Sequence, residues 1–227
     1  MENTQTADWK LETLSELENA KWPTDTDWIS ITRFAHDEDS EIRYRTCELL
    51  ALFPSPESEQ LLLGRLNDQD RLVRASACDS LSFSKSLETL QALKHSVGDR
   101  TCLVRGYAIL SIADVQLNSG TSAKKTIEFL KKVESQESSD WVRIFLYRSL
   151  LILGEYTYGR LLLGMVHNRY YKNRCAALSL LEELVANGYV DYLPGIKAVL
   201  EDCISVEQAY SVKLKLEKLL KTLPINR

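Results

Sequence analysis

Apolar and polar positions along this chain keep a three-to-four-residue rhythm, and several stretches repeat one another. Ile42, Thr46, Leu49, Leu50 and Phe53 form one stripe; Val73, Ala77 and Leu81 a second; Val104, Ala108, Ile112 and Val115 a third. That spacing puts each set on one face of an α-helix. Strict apolar–polar alternation with hairpin turns, the mark of strands, is absent. The pattern predicts helices in alternating pairs. First helices lie near 25–36, 57–67, 86–96, 122–135, 155–167 and 190–202; second helices lie near 40–53, 70–83, 100–116, 140–153, 170–186 and 206–222. An amphipathic helix near 6–20 (Trp9, Leu11, Leu14, Leu17) caps the front, and a charged helix from Lys213 to Lys221 closes the end. Pro23, Pro54, Pro56, Pro194 and Pro224 fall at predicted boundaries, where a missing N–H costs little. Asp70, Asp99 and Asp140 suit N-cap or first-turn positions, while Gly120 and Gly188 suit helix ends.

A ladder of charges runs through the second helices. Arg43, Arg74 and Arg105 recur every 31 residues, each after a branched aliphatic residue (Ile42, Val73, Val104) and six after an acid (Asp37, Asp68, Asp99). Arg143 with Glu137 and Arg174 with Asn168 extend it, after a step of 38 read as a loop insertion around residues 118–122. Self-similarity at this period marks a solenoid, whose units bury apolar faces only against their neighbours. The expected fold is therefore an all-α, right-handed superhelix of about six helix pairs. It forms one domain over 1–227: a cap to residue 23, five clear repeats over 24–186, and a divergent final repeat in which Gln208 stands near the expected arginine. An Asp in the turn between paired helices can accept from its own second helix and from Arg of the same or the next repeat, stitching units together.

The unit D-x-x-x-x-[IV]-R-x-x-x-[AT]-x-x-x-L, read in Asp68…Val73-Arg74…Ala77…Leu81 and Asp37…Ile42-Arg43…Thr46…Leu50, resembles the HEAT repeat in its short, bacterial, phycobilisome-lyase-type form. The resemblance implies an α-solenoid and, most often, a non-catalytic scaffold that binds other proteins.

Charge narrows the picture. The 227 residues carry a net charge of −4, and residues 1–60 hold five Lys or Arg against fourteen Asp or Glu. An acidic front favours a basic protein partner and argues against nucleic acid there. No apolar run reaches the roughly 18–20 residues that span a bilayer, and five scattered cysteines suit a reducing compartment, so a cytoplasmic protein is expected. Cys47 and Cys78 occupy equivalent repeat positions, about 8–10 Å apart on stacked helices, too far for a bridge.

Catalytic motifs are sparse. His36, His95 and His167 are dispersed, no His/Cys set has zinc spacing, and phosphate-loop or G-x-S-x-G elements are missing, so neither metal nor cofactor is expected. Gly159 and Gly164 lie within a helix and suit close packing. One enzyme reading stays open: Ser139-Asp140-Trp141-Val142-Arg143, near Arg148, Arg160, Arg169, Lys172 and Arg174, resembles a helix start of HEAT-like alkylpurine DNA glycosylases, although Ile144 stands where that family commonly has a second arginine. The binding-module reading takes the residues off each core stripe of the second helices as an inner protein-binding wall: Tyr44, Arg45, Glu48, Ser76, Asp79, Tyr107, Asp114, Phe145 and Arg148. A compact acidic monomer of this kind suits an immunity protein that neutralises a toxin effector.

Overall fold

The computed structural model describes residues 6–19 and 21–223; Pro224 and the first five residues lie outside that range. Every regular element among the described residues is helical. Contacts divide the chain into two compact units, Met1–Ala123 and Lys124–Arg227.

The first unit contains α1 (Ala7–Glu18), α2 (Asp25–Ala35), α3 (Ser40–Leu52), α4 (Pro56–Arg65), α5 (Arg71–Ser80, prolonged by a 3-10 turn at Leu81–Phe83), α6 (Leu87–Ser96) and α7 (Cys102–Asn118). Second helices form one row, α1 on α3, α3 on α5 and α5 on α7, with α2, α4 and α6 as the other layer. The capping helix α1 thus takes a second-helix place. Local chemistry starts each element. Thr24 and Asp27 form a reciprocal capping box on α2, Ser55 caps α4 with Pro56 in its first turn, and the Asp39 and Asp70 carboxylates accept the first free N–H groups of α3 and α5. Ile42, Leu49, Leu50, Val73, Ala77, Leu81, Val104, Ala108 and Ile112 are completely buried between the layers. Each large aliphatic side chain among them contributes about 1.5–3 kcal/mol.

The second unit contains α8 (Lys124–Gln136), α9 (Asp140–Ile152), α10 (Tyr158–Gly164, with a 3-10 turn at Met165–His167), α11 (Tyr171–Ala186), α12 (Ile196–Val206) and α13 (Tyr210–Thr222). Here α9, α11 and α13 form the row of second helices around Val142, Leu146, Leu150, Leu181, Leu184 and Leu216.

Two details depart from the periodic expectation. The extra residues after Arg105 are largely helix: α7 runs thirteen residues past Arg105, whereas α5 stops six past Arg74. The helix expected at 190–202 starts late, because Pro194 and Gly195, at φ +73°, separate a 3-10 turn at Val190–Tyr192 from α12. Gly159 is a close-approach glycine, since a Cβ there would meet the Tyr192 carbonyl oxygen at 2.1 Å, while Gly164 faces open space. Tyr192 in turn stacks on Tyr156 at 3.8 Å. No helix among the described residues is long and apolar enough to cross a membrane.

Candidate functional site

In the first unit, two sets of charged side chains lie on different sides of α3 and α5. Along one edge, each arginine reaches forward. Arg43 donates from Nε and Nη2 to the Asp68 carboxylate, both at 2.7 Å, while its Nη1 donates to the carbonyls of Asp37 and Glu38 in its own turn. Arg74 repeats this on Asp99 (2.7 and 3.2 Å) and on the Asp68 and Gln69 carbonyls. Arg105 Nη1 donates to the Asp99 carbonyl at 3.1 Å. The acids are occupied from both sides, since Asp68 also accepts the Asp70 N–H and Asp99 the Thr101 N–H. Burial pushes the Asp68 carboxyl up, but the Arg43 guanidinium and the Asp70 N–H outweigh it and hold it below its ordinary value; Asp99 is held down the same way by Arg74 and Thr101. Paired, fork-shaped contacts of this kind join repeats and leave the charges spent.

The ladder begins and ends on residues that motif reading passes over. Lys10 of α1 donates to Asp37 at 2.6 Å, so the cap supplies a first rung. In the second unit Arg174 forks onto Glu207 at 2.7 and 2.8 Å, and Glu207 accepts the N–H groups of Gln208 and Ala209. Glu207 is thus the acid of the last repeat. Six residues on, after buried Val212, the rung position is Lys213, rather than the neighbourhood of Gln208. Asn168 replaces the acid of the fifth rung, where its amide donates to Asp140 at 2.8 Å, and the Nε of Arg143 is buried with no hydrogen-bond partner among the described residues.

The other surface is a groove of about 470 Å³ across α3, α5 and α7. Tyr44, Glu48, Ser76, Asp79, Ser80, Leu103 and Tyr107 are among its walls. The Tyr44 hydroxyl donates to Glu48 at 2.7 Å, and that bond, with burial, pushes the phenol up to about 12. Asp79, exposed at the mouth, is different: no hydrogen bond among the described residues reaches its carboxylate. The protein walls around it, then the charges of Asp114 and Glu48, push it up to about 6. Burial, Asp79 and Glu48 likewise raise Tyr107.

Other sequence candidates distribute as follows. Arg45 is exposed and meets Glu48 at 3.5 Å, and Asp114 is half-buried on α7. Ser76 is 8 % exposed and forms part of the groove floor. In the second unit Phe145 is buried edge-on against Trp141 at 5.1 Å, and Arg148 is buried on Glu183. Arg160, Arg169 and Lys172 are exposed, with Arg169 over the Tyr170 ring at 4.5 Å. Burial pushes the thiols of Cys47 and Cys78 up to about 12, which leaves them poor nucleophiles. No cluster of His, Cys, Asp and Glu among the described residues is arranged to hold a metal.

Comparisons with known proteins agree with this architecture. No curated protein matches the chain. In the complex of CpcE and CpcF of phycocyanin lyase from Nostoc sp. PCC7120, one chain is 16% identical, with 98% of this chain and 92% of that one covered at a TM-score of 0.61. Human deoxyhypusine hydroxylase in complex with glycerol is 13% identical (96% and 91% covered, TM-score 0.46), and a designed armadillo repeat protein 14% (86% and 98%, TM-score 0.42). At such identities the likeness to the lyase chain speaks to fold alone. The family described as HEAT repeats matches residues 30–113, a span that holds Arg43 and Arg74, so that stretch is built of HEAT repeats within an all-α, solenoid-type fold.

Proposed function

We propose that this chain is a non-catalytic scaffold that holds another protein in the groove across α3, α5 and α7. The observation that carries the reading is the contrast in that unit: the edge acids are each met by a cation, whereas the Asp79 carboxylate stands beside two tyrosines with no donor among the described residues. Tyrosines with accessible polar groups suit a protein interface, because the ring adds contact area at low entropy cost. The finer reading is an immunity protein acting as a cytoplasmic monomer, its acidic groove and acidic first sixty residues facing a basic toxin effector. The DNA-repair alternative has less positive charge to work with, since Arg148 and Arg174 are held by Glu183 and Glu207.

Native purification with mass spectrometry of co-purifying chains tests the proposal. The expected result is one stoichiometric protein partner, released by moderate salt. Recovery without a partner, together with salt-sensitive retention on duplex DNA and release of alkylated bases, would overturn it.

A further inference from the structure

The rungs of the second unit are unequal. Arg174 forks onto Glu207, and its Nη1 donates to the carbonyls of Asn168 and Arg169. Arg143, at the same place on α9, makes no corresponding bond among the described residues, and its Nε is buried without an acceptor. The cause lies in the turn before α11. Where an intact rung has an acid, Asn168 gives its side-chain oxygen to the Tyr170 N–H and the Asn173 amide, and turns its own amide to Asp140. A donor thus stands where the fork needs an acceptor. Asp140 and Glu134 of α8 are the acids whose charge reaches the same Tyr147 hydroxyl as that of Arg143, yet neither forms an ion pair with it. Around Asn168 the surface is cationic: Arg169 and Lys172 are exposed and enter no ion pair among the described residues. A buried N–H without an acceptor carries a desolvation cost that an arriving acceptor removes.

We propose that Arg143 is an open rung that an aspartate or glutamate side chain of the partner protein completes, its carboxylate accepting from Nε and Nη2. This deepens the scaffold reading, rests on it for the existence of a protein partner, and adds a site in the second unit. The chain itself shows the matching chemistry, since Arg43, Arg74 and Arg174 each fork onto a carboxylate. Arg143 is half-buried, so an incoming group has access to the guanidinium end. Arg169 and Lys172 draw an acidic segment to the turn. A phosphate dianion fits less well, because Asp140 and Glu134 share this neighbourhood and oppose a second negative charge.

The test is an NMR titration of the full chain, reading the Arg143 Nε–H signal, with acetyl-Gly-Asp-Gly amide, its asparagine counterpart and inorganic phosphate. The aspartate peptide is expected to move that signal, with the asparagine peptide inert and phosphate weaker than the aspartate peptide. Two variants whose melting curves verify folding, Arg143→Gln and Asn168→Asp, should each weaken peptide binding at least threefold. The second does so because it supplies the acid within the chain. Should Asn168→Asp fail to fold beside Asp140, Arg143→Gln and the asparagine peptide decide. A still Arg143 signal, a smaller loss in either folded variant, equal binding of the asparagine peptide, or phosphate bound as tightly as the aspartate peptide would overturn the proposal. A native partner captured equally by wild type and Arg143→Gln would sink this inference while leaving the scaffold reading in place. No native partner, with the aspartate peptide still seated at Arg143, would sink the scaffold reading and keep the carboxylate site.

Discussion

On α3, Arg43 and Glu48 stand five residues apart; on α5, Arg74 and Asp79 do the same. Five residues carry the helix roughly 140° past one full turn, so one member of each pair meets the edge and the other the groove. The same residue types then behave oppositely. At the edge, carboxylates are drawn below their ordinary value by guanidinium forks and turn N–H groups; in the groove, Asp79 is raised by its walls and by like charge. The edge spends its charge on joining repeats, and the groove leaves the Asp79 carboxylate with no donor among the described residues.

The sharpest way to break that contrast is Arg74→Ala. It strands Asp99 and frees two turn carbonyls, so about 2–4 kcal/mol of stability should be lost, read as a lower urea midpoint. Affinity for a groove ligand should stay within about twofold. Full stability with lost binding would invert the assignment. Acid titration of stability comes next, and its two limbs have opposite sign. Asp68 and Asp99 fold with lowered values, so their stabilisation is present above the unfolded value of 3.8 and is lost as pH falls below it. Asp79 folds with a raised value, so the native state binds the extra proton between 3.8 and about 6, and stability declines as pH rises through that window. Urea midpoints across pH should show Asp68→Asn flattening the first limb and Asp79→Asn the second. Lys10→Ala should cost about 0.5–1 kcal/mol, seen as faster hydrogen exchange confined to α1. The smallest effect has the reverse sign: Asp79→Asn should raise Tm by about 1–2 °C at pH 7.5 and leave it unchanged at pH 3.5, since solvent screens much of the repulsion.

Much of the fold is legible from spacing alone, because each second helix buries the same offsets from its arginine. Helix interruptions are less so. Pro194 and Gly195 signal a boundary, but which side of them the helix occupies depends on the packing of Tyr192 over Gly159. The ladder's period is visible in the chain, whereas its direction is not: an arginine six residues after one acid could turn back to it, and the forward reach of 25 residues follows from how paired helices stack. Lys10 and Glu207 escape a pattern written for Arg and Asp because another residue of the same sign does the same work. For the groove, helical offsets point to Tyr44, Glu48, Asp79 and Tyr107, yet the same offsets also select Phe145 and Arg148, which are buried. An offset tells which way a side chain leaves its helix, not what neighbour lies over it. The isolation of Asp79, finally, is a statement about missing donors, and no local pattern encodes that.

Because Arg43 and Arg74 each close on a carboxylate 25 residues later, the first unit has a polarity in time as well as in space. At about 5–20 residues per second of synthesis, a newly emerged Arg43 waits roughly 1–5 s for Asp68. Ordering in the first unit then advances from the amino end one latch behind the ribosome, with Arg43 and Arg74 each in place before its acid is made.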